Sequence, residues 1–162
     1  MEKEYTRMWI SEFLGMSERT INYYTERGIV IPEVAEGKGR GKIRKYSIKN
    51  IVEIAILKQL NGYGLAFKTV ENVFQLLRSP VPPDDLTKDI IKWDERSYID
   101  RWKEFEPNSY IVLYQMMDSG EFKIHMPEGV PLDKVLDKDK IKKSGSVLII
   151  NVGRIVDLVK NL

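Results

Sequence analysis

The chain has 162 residues, with 26 Lys and Arg against 24 Asp and Glu, one histidine and no cysteine. That length suffices for one medium domain or two small ones with a real core, and the lack of cysteine excludes disulfides and thiolate metal or redox sites. No apolar run approaches the roughly 20 residues needed to span a bilayer, and the charged start Met-Glu-Lys-Glu-Tyr has no signal-peptide core, so a cytoplasmic protein without a membrane partner is expected. The near-neutral total conceals an asymmetry. Residues 1–79 carry 13 basic against 9 acidic residues, a net of +4, and residues 80–162 carry 13 against 15, a net of −2. A basic half joined to an acidic one suits a nucleic-acid-binding head and a tail that must not adhere to DNA.

In chain order, Trp9, Ile10, Phe13 and Leu14 form a short apolar-periodic helix that ends at Gly15. Ser17 can cap a second helix, 18–27, by accepting from its free N–H groups. Gly28 suits the left-handed residue that closes it, and Pro32 prevents it from resuming. Ile21 and Tyr24 fall on the core side, whereas Arg19, Asn22 and Tyr23 fall on other faces. Arginine pairs with guanine edges and phosphate, asparagine with adenine edges and a tyrosine hydroxyl with phosphate. Between Gly37 and Val52 lie six basic residues (Lys38, Arg40, Lys42, Arg44, Lys45, Lys49) and no acidic one, interleaved at first with Gly37, Gly39 and Gly41. A charge run alone reads as a solvated hairpin, but directly after two short helices and a tight turn it reads as a basic wing. Neither a dinucleotide-binding nor a P-loop glycine pattern occurs in the required strand-to-helix context.

These pieces resemble the DNA-binding domain of MerR-family transcriptional regulators over residues 5–78. The matching runs are Ile10-Ser11-Glu12-Phe13-Leu14-Gly15-Met16-Ser17 and Arg19-Thr20-Ile21-Asn22-Tyr23-Tyr24-Thr25-Glu26-Arg27-Gly28-Ile29. The wing exit Ile43-Arg44-Lys45-Tyr46-Ser47 and the joint Leu60-Asn61-Gly62-Tyr63-Gly64-Leu65-Ala66-Phe67 complete them. Asn22 stands where the family usually has arginine, and Ile43 where it usually has a wing tyrosine. The resemblance implies a winged helix-turn-helix that bends and untwists promoter DNA as a homodimer on a pseudo-palindromic site. Ser17, Arg19, Thr20, Asn22, Tyr23, Lys38, Arg40, Lys42, Arg44, Lys45 and Tyr46 are its expected DNA-binding residues. Double-stranded DNA is the expected partner, with RNA polymerase and a small-molecule effector as further ones.

Beyond the wing, Ser47 caps a long apolar helix, 48–61, and a second helix spans 67–78 with Phe67, Val70, Val73, Phe74 and Leu77 on one face. Pro80, Pro82 and Pro83 make residues 80–85 a stiff connector. A helical pattern over 86–105 then places Ile91, Tyr98, Trp102 and Phe105 in one stripe, suited to core or dimer interface. Residues 109–117 and 122–126 read as a β-hairpin, 131–142 as a helix, 147–150 as a strand and 152–162 as an amphipathic helix. The expected organisation is α+β: a winged helix-turn-helix (1–79), a proline linker (80–85) and an α+β dimerisation or sensor module (86–162). The single histidine, His125, has no partners at metal-ligand spacing, and no nucleophile or acid–base pair suggests catalysis. No cofactor or metal is expected, and the chain reads as a non-enzymatic regulator. Two other readings stand beside it: a DNA-architectural, excisionase or segregation-type protein with the same head, and a small-molecule-binding protein or enzyme acting through its tail.

Overall fold

The structure is a computed structural model that describes residues 3–34, 43–79, 96–127, 129, 131–136, 138–160 and 162. The wing residues Lys38, Arg40 and Lys42, the proline connector and Leu86, Ile90, Ile91 and Trp93 lie outside them. The chain forms two compact units, Met1–Gly62 and Tyr63–Leu162.

The first unit opens with a two-residue strand β1 (Tyr5–Thr6), followed by α1 (Arg7–Leu14), α2 (Glu18–Glu26), strand β2 (Lys45–Tyr46) and α3 (Ile48–Gly62). Thr6 caps α1 by accepting from the Trp9 N–H. Gly15 closes α1 in the left-handed region at φ 61°, and the N–H groups of Gly15 and Met16 both return to the Ser11 carbonyl. A side chain at that position would be strained, and the glycine lets α2 start only three residues later. Ser17 then accepts from the Thr20 N–H at 3.1 Å and shares a hydroxyl hydrogen bond with Thr20. The wing exit pairs antiparallel with the start of the chain, Tyr5 opposite Tyr46 and Thr6 opposite Lys45.

Helix α3 is buried almost all round, from Asn50 to Leu57 and at Leu60, as its nearly continuous apolar sequence requires. Ser47 and Asn50 cap its start reciprocally, each accepting from the other's backbone N–H at 3.2 Å. The fully buried Asn50 also accepts from Glu33 N–H at 3.0 Å and donates to the Ile31 carbonyl and the Glu53 carboxylate, both at 2.9 Å. This one amide therefore ties the segment entering the wing to the helix leaving it. Replacing Asn50 with alanine should lower stability by about 3 kcal/mol, because the Ser47 N–H, the Glu53 carboxylate, the Glu33 N–H and the Ile31 carbonyl each lose a hydrogen bond together, the first two of them buried. A urea midpoint within about 0.5 kcal/mol of wild type would show that water replaces the amide without loss.

The second unit begins with α4 (Phe67–Leu77), which buries Val70, Val73, Phe74 and Leu77. Farther on, a three-stranded antiparallel sheet runs in the order β4 (Phe122–His125), β3 (Tyr110–Met116), β5 (Ser144–Asn151). The central β3 pairs Val112 with His125 on one side and with Ile149 on the other. Tyr110, Val112, Tyr114 and Met116 share one face and pack with Val135, Leu132 and Leu136. The last helix, α7 (Val152–Lys160), buries Val152, Ile155, Val156 and Val159.

Three sequence-based expectations change here, and a fourth, on the aromatic stripe, is narrowed. The described end of the proposed 86–105 helix is a 3-10 turn, Ile99–Glu104, after which Phe105 is extended. Glu106 precedes Pro107, a position that disfavours helical backbone. The aromatic stripe is internal: Tyr98, Trp102 and Phe105 are buried within the chain's own fold, with the Tyr98 and Phe105 rings 4.5 Å apart. Those three rings are thus core and not dimer interface. The 131–142 helix is two short ones, α5 (Leu132–Val135) and α6 (Lys138–Lys142), separated where Leu136 turns extended at ψ 103°. The 147–150 strand is longer than its apolar run, because Ser144 and Ser146 continue the ladder opposite Met116 and Gln115.

Candidate nucleic-acid interface

Helix α2 is held by one face. Ile21, Tyr24 and Thr25 are buried, and the Thr25 hydroxyl bonds the Ile21 carbonyl at 2.8 Å. Tyr24 reaches Asn61 with its hydroxyl at 3.3 Å. Burial, and then the neighbouring Tyr23, push the Tyr24 phenol above its ordinary pKa, so it stays a neutral donor. The outward positions include Arg19, which is exposed, and Tyr23, which is 41% exposed with the Arg27 guanidinium 5.3 Å from its ring centre.

Ser17 and Thr20 sit at the N-terminal end of α2 as a hydroxyl pair. Their oxygens first satisfy the helix start, where the free N–H groups also favour an anion. Arg44 and Lys45 lie at the wing exit. Lys45 is exposed and paired with Glu4, a surface ion pair that contributes little on its own and can be exchanged for a phosphate. Tyr46 departs from expectation. It is fully buried, and its hydroxyl faces that of Thr25 at 3.2 Å, so its role is to pin the wing exit onto α2 rather than to touch a ligand.

Asn22 departs as well. Its side-chain oxygen accepts from Arg7 at 3.0 Å and from Arg44 at 2.6 Å, and its amide nitrogen donates to Glu26 at 2.7 Å. Arg7 also donates to Glu18 at 2.8 Å. Sequence reasoning missed Arg7, Glu18 and Glu26. Only the Asn22–Glu26 pair had a local signal, the i, i+4 spacing of helix neighbours. Arg7 lies 15 residues from Asn22, and no periodicity links them.

Ser17, Arg19, Thr20, Asn22 and Tyr23 thus share one short helix and its cap, with Arg44 and Lys45 on the adjoining strand and the strand's approach. That is the layout of a helix-turn-helix followed by a short strand. Residues 8–77 match the sequence model of the MerR HTH family regulatory protein. This part of the chain is a MerR-type helix-turn-helix domain. Three curated relatives are similar to it over a comparable length. They are uncharacterized HTH-type transcriptional regulators from Mycobacterium bovis and from two strains of Mycobacterium tuberculosis. Each is 27% identical over 67 residues, covering 41% of this chain and 30% of the relative. The chain therefore matches less than a third of the length of these relatives. Among the described residues no cluster of His, Cys, Asp or Glu is arranged to hold a metal ion, and no helix is long and apolar enough to cross a membrane. His125 is buried on β4.

Proposed function

We propose that the chain is a sequence-specific, non-enzymatic DNA-binding regulator of transcription. In this reading α2 enters the major groove of duplex DNA and the basic wing follows the neighbouring backbone. The observation that carries it is the MerR-type domain with the outer face of α2 left open: Arg19 and Tyr23 are exposed while Ile21, Tyr24 and Thr25 anchor the helix. A homodimer on a pseudo-palindromic promoter site is the form we propose for it, with RNA polymerase as a neighbour on that promoter. We also propose that the part of the chain beyond the proline linker 80–85 serves dimerisation or sensing, within the unit that helix α4 opens. A small-molecule effector is supported by a cavity of about 640 Å³ in the second unit, lined by Thr69, Asn72, Val73, Leu76, Phe122 and Ile124 among others, within the size range of ligand sites.

The direct test is a titration of duplex DNA at rising salt. The logarithm of the binding constant should fall linearly with the logarithm of salt, and absence of binding at low salt would end the proposal. Within that reading Arg19 and Tyr23 divide the work. Arg19→Ala should lower the ratio of specific to non-specific affinity about tenfold, since a bidentate base contact is worth about 1–3 kcal/mol. Tyr23→Phe should lower both affinities together, because a phosphate bond carries no sequence information. The reverse pattern in a competition assay would exchange the two roles.

A further inference from the structure

We infer that Arg7 and Arg44 form a two-guanidinium clip for one DNA phosphate, and that Asn22 is the residue that positions it; this rests on the DNA-binding reading above. The three side chains come from three separate elements: Arg7 opens α1, Asn22 lies in mid-α2, and Arg44 precedes β2. Both arginines donate to the same Asn22 oxygen, at 3.0 and 2.6 Å. A carbonyl oxygen has two lone pairs, so this one is fully used, and the amide nitrogen is engaged by Glu26. Reading an adenine edge requires the oxygen and the nitrogen of the amide together. Asn22 therefore organises cations instead of reading a base.

Two like charges gathered on one neutral oxygen repel each other. Glu18 offsets part of this by accepting from Arg7 Nε at 2.8 Å. Arg7 remains 40% exposed at its side chain, and both arginines line an open cleft of about 420 Å³. The planar fork of arginine keeps further N–H groups beyond those already used, and it matches phosphate geometry. Met8 and Ile43 line the same cleft and are 59% and 66% exposed, apolar flanks of the kind a deoxyribose can rest on. The cleft lies beside the N-terminal half of α2, so a DNA strand beside that helix would bring a phosphodiester to it.

The test compares salt dependence of binding to random-sequence duplex DNA for the full chain and its variants. Arg7→Ala and Arg44→Ala should each flatten the log–log slope by roughly one unit. The double variant should lose the same one unit, because both groups serve one phosphate. Arg7→Lys should keep the slope but bind more weakly, since an ammonium keeps the charge without the fork. Asn22→Ala should weaken binding to all sequences alike and leave the selected DNA motif unchanged. An unaltered slope in Arg7→Ala, a two-unit loss in the double variant, or a changed base in the motif of Asn22→Ala would each overturn the clip. If wild type binds with a normal slope and these outcomes fail, only the clip is lost. If wild type does not bind duplex DNA at all, the underlying DNA reading fails instead.

Discussion

Changing Lys38, Arg40 and Lys42 together to alanine should cost on the order of tenfold in affinity for each phosphate they grip, on every DNA sequence. The size follows from a charge-assisted hydrogen bond contributing about 1.5 kcal/mol or more. The evenness follows from phosphate being the same at every base pair. The slope of log affinity against log salt should flatten by roughly one unit per phosphate released. The motivation is in the sequence alone: three cations alternate with Gly37, Gly39 and Gly41, and no acidic residue occurs between Gly37 and Val52. A filter-binding titration in which the triple variant keeps the wild-type slope would show that the wing does not grip the backbone.

The largest expected effect on stability lies in the second unit, at Gly153. A Cβ built there falls 2.0 Å from the Glu106 carbonyl oxygen and 2.7 Å from the Pro107 carbonyl carbon. These are backbone atoms, and they cannot swing aside as a side-chain tip can. The approach is fixed from both sides, because the N–H groups of Val152 and Gly153 donate to the Ser109 carbonyl at 2.9 and 3.1 Å. Gly153→Ala must therefore push α7 away from the 106–109 segment, an overpacking cost of about 3 kcal/mol or more. At about 4 °C per kcal/mol this lowers the melting temperature of that unit by roughly 12 °C. Gly62→Ala is the control. Its Cβ would meet nothing within 4 Å at the end of α3, so it should be neutral or stabilise by about 0.4–1 kcal/mol. Equal melting temperatures for the Gly153→Ala variant and wild type would mean that α7 docks less tightly than this geometry implies.

The parts of the fold written in local chemistry are legible in the sequence. Gly15, Ser17 and Gly28 mark helix ends through backbone conformation or a cap, and such signals act within a few residues. The β3–β4 hairpin is equally readable, since β-branched and aromatic runs flank a short turn. The 3-10 turn at Ile99–Glu104 and the break at Leu136 are not, because apolar spacing there matches a helix while backbone packing and Pro107 decide otherwise. The site divides in the same way. Arg19 and Tyr23 are outward positions by their place on α2 alone. Motif spacing puts Tyr46 on the wing, but in the fold it is buried with its hydroxyl against that of Thr25, 21 residues away. Residue type alone makes Asn22 a base contact. Its actual partners, Arg7 and Arg44, arrive from elements 15 and 22 residues distant, and only the fold brings them together.

The central claim is that this chain recognises a particular DNA sequence through α2 and its wing. Repeated selection of the full chain against a randomised duplex library tests it most directly. The expected result is enrichment of one motif arranged as an inverted repeat, with half-sites spaced as a two-fold dimer of MerR-type domains requires. A library that remains random after selection, although the protein is folded, would contradict it.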